Sequence, residues 1–567
     1  MNKTVVCAAV TLSSVCVFGA FERTVPATDG VGDVVALTNA IAELNALSDS
    51  DTLNSRIYLQ PGLYDLRGIH MTAESHLDIQ HARNLVFAGL GNGPEDTVLL
   101  GGGREEGCRV IKVGGGGNYW WNTYSNITVT GGYTSGNGGG ICSGSLATLY
   151  VRCIISNNVS TSTARYSGGG GCCFGVAEKC LFADNTAGIC GGALEPHANS
   201  KMSLDNPLRE AYATDCIFSN NQITASYNDN YGGGAVTGGT YTRCKFYDNK
   251  SASRGGAVGR SENCKNAVLI KCEFYSNSAA TRGGAVHEAV AITNCTFVAN
   301  SLTGVDAYGG AIYARSTVTM PDVYGCVFSE NTAENGCVAY NANLTHCIVT
   351  NNIGSRALYN VNLTRCLVVD NCSSTGNIVF DSVSENNSRT NVNCVFVRNR
   401  QSGYGSLSEA KVIVNCAYLD NWYGNGNYSP LFSKNSLVYN SVFSGNKINN
   451  GPLCDIRTSG LNWSEDYPTL VNCIFSTTDG AVDGAGHYTN CYQVPRDKLK
   501  YTRRDSEHPL TPSRTSKMFD NGYESDWLLA LVGDTDYYGR ARRLFDRIDI
   551  GPAECGEEPL GLMLLFR

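Results

Sequence analysis

Clusters of basic residues are missing from this chain of 567 residues, in which 43 Lys and Arg face 51 Asp and Glu for a formal net charge of −8. That leaves no electrostatic footprint for nucleic acid. Charge of either sign is scarce, at 17% of residues, and no apolar stripe of helical period runs through the sequence, which excludes a disordered polar chain and a stack of helical repeats. Beyond the first twenty residues no run is long and apolar enough to cross a bilayer. The eight His are scattered, and no Ser-His-Asp, HExxH, P-loop or dinucleotide signature can be assembled. No cofactor and no metal site is expected on these grounds.

What is plentiful is Gly (64), Tyr (30) and Cys (25), together with Asn and Ser. This is the composition of a turn-rich, all-β chain. Much of it is organised by one phrase, Cys-x-aromatic-x-x-Asn, seen in Cys180 to Asn185, Cys244 to Asn249, Cys272 to Asn277, Cys295 to Asn300, Cys326 to Asn331 and Cys394 to Asn399. Looser copies start at Cys153, Cys216, Cys347, Cys366, Cys416 and Cys473, and Ser441 to Asn446 keeps the pattern with Ser for Cys. From Cys153 to Cys416 successive anchors are 27, 36, 28, 28, 23, 31, 21, 19, 28 and 22 residues apart. A unit this short cannot bury a face alone and must stack on its neighbours.

Strand side chains alternate, so Cys and the aromatic two residues later point to one side, the interior. The Asn falls where the β-formers end, and its amide can bond both its own backbone and the equivalent Asn one coil along, making a ladder at a bend. A second phrase, Gly-Gly-Ala-(Val/Ile/Leu), recurs at 191–193, 233–235, 255–257, 283–285 and 309–311, with relatives at 138–141 and 168–172. Paired Gly supply a turn and the Ala a crowded site. A blade-type propeller would need a longer unit. The expectation is a right-handed parallel β-helix, one unit per coil, with coils ~4.8 Å apart.

The N-terminal stretch carries Lys3, an apolar run from Val5 to Phe18, then Gly19 and Ala20, which predicts a secretory signal peptide over 1–20. The run is short for a retained anchor, and Ser13-Ser14-Val15 before Cys16 matches a lipobox poorly. Removing Cys7 and Cys16 leaves 25 − 2 = 23 cysteines, so at least one thiol is unpaired. Laddered Cys one coil apart sit ~4.8 Å from each other, too far for the ~3.8 Å between Cβ atoms of a disulfide. Stacked thiols are expected, with bridges outside the ladder left open for Cys172, Cys173 and Cys190. Further expected divisions are a cap with the first coils over 21–115, the repeats over 116–500, and a C-terminal segment over 501–567.

A helix-like stretch from Gly32 to Ala46, followed by the strand, Pro-Gly turn and strand of Arg56 to Leu66, resembles the opening of the pectate-lyase-like superfamily of right-handed β-helices. The repeats resemble those of the polymorphic outer membrane proteins, with Phe182 to Asn185, Phe246 to Asn249, Phe274 to Asn277 and Gly309-Gly310-Ala311-Ile312 matching their Phe-x-x-Asn and Gly-Gly-Ala-Ile. After Cys491 only 567 − 491 = 76 residues remain, too few for the eight strands of ~10 residues in even a small membrane barrel. The tail instead resembles the choice-of-anchor region of secreted bacterial β-helix proteins, on Asp536, Gly539, Arg542, Asp549, Ile550, Gly551 and Glu554, with Pro552 in place of the usual Ala. The resemblance implies an exported or cell-surface bacterial protein, at the outer membrane or secreted.

No catalytic residues are assigned. A calcium-dependent lyase needs clustered carboxylates and a hydrolase needs two at fixed separation, yet Asp184 and Asp248 should lie two coils or ~9.6 Å apart. Asp370, Arg398 and Asp420 should form only an ion-pair ladder. His287-Glu288 and Glu195-Pro196-His197 follow Gly-Gly-Ala phrases without forming a constellation. Arg254 and Arg282 both precede Gly-Gly and should stack one coil apart, which points to an anion or carboxylate between them. Trp120, Trp121, Trp422 and Tyr423 sit among amides and either stack on sugars or cover the flanks of coils. The expected role is structural or adhesive, presenting a rigid face to an extracellular polysaccharide or a cell-surface partner. The rivals are a polysaccharide lyase or glycoside hydrolase and a passive spacer.

Overall fold

The computed structural model describes residues 21–48, 51–80, 83–114, 122–143, 148–164, 168–173, 175–195, 212–226, 232–260, 266–317, 319–374, 376–381, 389–403, 406–425, 431–432 and 436–449. Beyond these it describes the short pieces 456–457, 468–475, 482–483, 487–489 and 491–493, with residues 534, 536, 540, 541 and 551. The proposed signal peptide, Trp120, Trp121 and most of the anchor-like tail lie outside the described residues.

The chain winds as a right-handed parallel β-helix. Each Cys-x-aromatic segment is a three-residue strand in register with its equivalent one coil on, so Phe182 pairs with Phe218, Phe218 with Phe246, Phe246 with Phe274, Phe274 with Phe297 and Phe297 with Phe328. Their rings stack with centroids 4.7–5.0 Å apart. The cysteines line the same interior as buried thiols, each donating to carbonyls, as Cys272 Sγ does to Tyr241 O at 3.3 Å and Ile270 O at 3.4 Å. One apolar core runs from Phe21 to Phe475.

Twelve asparagines, from Asn158 to Asn446, form a buried ladder at the bend. In it Asn277 Nδ2 donates to Asn300 Oδ1 at 3.0 Å and to Phe246 O at 3.0 Å, while Asn277 Oδ1 accepts from the backbone and side-chain amides of Asn249 at 3.1 and 2.9 Å. Every donor of the amide is satisfied inside the wall, which suits asparagine to this bend from Asn158 to Asn446.

The turns have a feature that the Gly pairs did not announce. The residue before the ladder Asn is left-handed in coil after coil, at Asp184 (φ 56), Asp248 (φ 53), Ser276 (φ 54) and Asp370 (φ 54), and so is the residue before the Cys, at Arg152 (φ 51), Lys179 (φ 52) and Arg243 (φ 52). Each costs of order 1–2 kcal/mol, and the buried hydrogen bonds of the ladder offset it. In the Gly pairs the two residues differ in role. Gly283 has φ 64, whereas a Cβ on Gly284 would lie 2.0 Å from Gly310 O, so the second glycine permits close contact between coils.

Helix α1 (Val34–Asn45) closes the N-terminal end. Asp33 caps it by accepting from Ala36 N at 2.8 Å, and Leu37, Ala40, Ile41 and Leu44 turn into the core. Its last residue, Asn45, is tied to the wall through Asp78 O at 2.7 Å. Among the described residues no helix is long and apolar enough to cross a membrane. At the other end Gly551 N donates to Asn440 O at 3.0 Å, so part of the tail lies against a coil.

Candidate functional site

The strand that follows each Gly-Gly-Ala turn has an inward residue and, next to it, one that faces out of the core. Parallel register puts these outward residues in one column: Glu195 with its neighbour coil's Thr237, then Gly259, His287, Tyr313, Tyr340, Tyr359 and Phe380. From His287 onward the rings form a continuous strip, with centroids 5.5 Å apart for His287–Tyr313, 5.0 Å for Tyr313–Tyr340, 4.5 Å for Tyr340–Tyr359 and 4.6 Å for Tyr359–Phe380. Four coil steps make it ~19 Å long. Tyr340, Tyr359 and Phe380 are half-buried, so their edges reach solvent.

Guanidinium groups border the strip. Arg254 and Arg282 pair as neighbours in adjacent coils, and Arg282 Cζ lies 5.1 Å from the centre of the Tyr313 ring. Arg356 Cζ lies 5.6 Å from Tyr359 and 4.2 Å from Phe380. Contacts of this kind are cation–π pairs. His287 is fully buried, and neither ring nitrogen has a hydrogen-bond partner. Burial above all, reinforced by Arg254, Arg315, Arg260 and Arg282, holds its pKa well below the ordinary range, so the ring is neutral. Glu288 is the carboxylate beside this group, and its Oε1 accepts from Arg315 N at 2.9 Å. Four guanidinium groups are thus gathered about one ring at this end of the strip, on a chain that is acidic overall.

Glu195, three coil steps or ~14 Å up the column, is buried and accepts a hydrogen bond from the Thr237 hydroxyl. Burial pushes its pKa up to about 8. The distance from Glu195 to Glu288 exceeds the ~5–9.5 Å that separates the paired carboxyls of glycosidases.

Tyr423 is wholly buried in the core, so it offers no face to a sugar. Trp422 is exposed at 37%, but its ring lies between two cations on adjacent coils. Arg400 Cζ is 5.2 Å and Lys447 Nζ 3.4 Å from the ring centre. Beside it a groove of about 380 Å3 is lined by Arg398, Arg400, Asp420 and Trp422. Asp370 takes Arg398 in a two-point ion pair at 2.6 and 2.8 Å. Trp422 and the His287 strip belong to different faces of the coil, so the predicted residues do not form one site.

His70, His76 and Glu106 bring ligand-type atoms within 4.8 Å of one another. However, Gly102 N–H donates to His76 Nε2 at 3.2 Å, which leaves the proton on Nδ1, and that nitrogen donates to Ile69 O at 2.7 Å. A ring engaged at both nitrogens presents no lone pair to a metal.

Tyr313, Tyr340, Tyr359 and Phe380 were not singled out by motif. A signal existed in the residue that ends Gly-Gly-Ala-Ile-Tyr (309–313), Cys-Val-Ala-Tyr (337–340), Ala-Leu-Tyr (357–359) and Ile-Val-Phe (378–380).

No family model matches the chain, and no curated protein matches it. Among solved structures it is similar to a mannuronic acid specific polysaccharide family 6 lyase from human gut microbiota, at 11% identity over 80% of this chain and 91% of that one, with a TM-score of 0.25. It is also similar to PfbA, a surface adhesin of Streptococcus pneumoniae, at 13% identity over 71% and 89%, with a TM-score of 0.26. A further structure is a PL6 alginate lyase in complex with trisaccharide, at 9% identity over 84% and 86%, with a TM-score of 0.20. Likenesses this distant say nothing about the chemistry of this chain.

Proposed function

We propose that this protein is an exported, surface-associated β-helix rod that binds an acidic glycan along the aromatic strip from His287 to Phe380, in a structural or adhesive role. The observation that carries this reading is the unpartnered, fully buried His287 faced by Arg254, Arg260, Arg282 and Arg315. Carboxylate and sulfate groups are the ligands that guanidinium takes best, in two-point hydrogen bonds. Sugar rings suit the tyrosine edges that continue from it.

The rival reading is a polysaccharide lyase, whose opening step removes the proton beside a uronate carboxylate; His287, fully buried and held well below its ordinary pKa, is not placed to be that base. The choice between the two is experimental. The intact protein is titrated with uronate-containing, sulfated and neutral polysaccharides by calorimetry, while ultraviolet absorbance follows new unsaturated sugar ends. Binding of acidic glycans that weakens with salt, about tenfold loss in Arg282→Ala and Tyr340→Ala, and no new absorbance is the expected result. Turnover replaces the adhesive reading with the lyase. Equal binding of neutral glycans removes the acidic-glycan reading, and neither binding nor turnover leaves the spacer.

A further inference from the structure

Among the cysteines outside the core ladder, two meet each other across adjacent coils. In the ladder each thiol is satisfied by carbonyls, as Cys153 Sγ donates to Tyr124 O at 3.3 Å and Val151 O at 3.5 Å. Cys142 and Cys173 instead face outward, one step along from the core residues Ile141 and Cys172, and are register partners on adjacent coils. Their sulfurs are 2.9 Å apart, with the contact made to each other. Glycines permit the two coils to approach closely beside them, since a Cβ on Gly140 would lie 2.7 Å from Gly171 O. Cys142 is partly exposed whereas Cys173 is buried.

We infer that Cys142 and Cys173 are a modification site, an inter-coil disulfide formed on export that staples the first complete repeats together. The hydrogen bond from Cys173, with Arg109 and Lys112 behind it, holds the Cys142 thiol below its ordinary range, while burial pushes Cys173 up. The exposed partner is therefore the attacking thiolate and the buried one resolves. Cys142 thiolate attacks one sulfur of a low-molecular-weight disulfide, breaks its S–S bond and expels one thiolate. Cys173 then gives up its proton and attacks Cys142 Sγ, expelling the second thiolate. One disulfide forms in the protein, the small disulfide is reduced by two electrons to two thiols, and the two protons end on those thiols.

The full chain, exported to an oxidising compartment, is denatured in acid, blocked with a maleimide and digested without reduction. The expected result is two fewer blocked thiols than in a reduced control, and a cross-linked pair of peptides carrying Cys142 and Cys173. Cys190→Ser keeps that link, and Cys142→Ser abolishes it. Blocking of both cysteines in the wild-type protein, or a link from Cys173 to Cys172, Cys190 or any other thiol, overturns the inference. The wild-type peptide map decides the matter even if the Cys142→Ser protein does not fold.

Discussion

Replacing Asn277 by Ala tests whether the ladder holds the rod together. Asn277 is fully buried and sits mid-ladder. Its loss leaves the backbone N–H of Asn249 without the acceptor it reaches at 3.1 Å, removes one of the two acceptors of Asn249 Nδ2, and takes a donor from both Phe246 O and Asn300 Oδ1. Asn249 Nδ2 keeps Phe218 O, and Asn300 Oδ1 keeps Asn277 N, so those two losses are partial. An orphaned buried polar group costs about 1–3 kcal/mol. The full loss at Asn249 N, the donor lost at Phe246 O and the two partial losses then amount to ~3–5 kcal/mol, with little relief from water because the site is closed. The destabilisation should be local, since each coil touches only its neighbours. Urea unfolding gives the total, and hydrogen exchange should show protection lost around 244–250 and 296–302. Lys250→Ala, on an exposed side chain next to the same bend, should change stability by less than ~0.5 kcal/mol. A cost below ~1 kcal/mol for Asn277→Ala, or exchange raised evenly along the rod, refutes the reasoning.

Glu195→Gln should stabilise the protein above pH 8 and leave it unchanged near pH 4. The folded carboxyl, at about 8 against 4.5 for the ordinary group, binds its proton more tightly than the unfolded one, so wild-type stability falls as pH rises between those values. The gain approaches ~3–5 kcal/mol, read as urea midpoints at the two pH values, and an equal shift at both contradicts it. Gly284→Ala drives a Cβ to 2.0 Å from Gly310 O and should cost ~3 kcal/mol or abolish soluble expression, whereas an unchanged melting temperature would show that the coils can separate. Trp422→Ala removes a ring held between Arg400 and Lys447 and should cost only ~1 kcal/mol, with acidic-glycan affinity unaltered. A tenfold loss of affinity there would move the site to the wrong face.

The Cys and Asn positions were legible because chemistry restricts them. From Asn158 to Asn446 a buried bend that uses two donors and an acceptor selects one residue type, and the narrow interior mostly repeats Cys and a large apolar residue. The left-handed bends were illegible because their occupants share no chemistry. Asp184, Ser276, Arg152 and Lys179 have in common only a conformation imposed by the residues on either side. Tyr423 was misread although the pattern was available. Asn421 faces inward, so alternation turns Trp422 out and Tyr423 in, and burial follows that order.

The aromatic strip was missed for a different reason. Its alignment to Gly-Gly-Ala fails after Tyr313, where the later copies lack the glycine pair. Inserts of unequal length also hide the register that three-dimensional pairing makes plain. Arg254 and Arg282 carried the one useful hint, because stacked like charges demand a partner. The Tyr313 ring meets part of that demand for Arg282, but a quadrupole contact worth ~1–2 kcal/mol does not neutralise a guanidinium. His287 cannot help, since burial, reinforced by the same cations, keeps it uncharged. The gathering of four guanidinium groups about the His287 ring is the physical ground for placing an acidic ligand at this end of the strip.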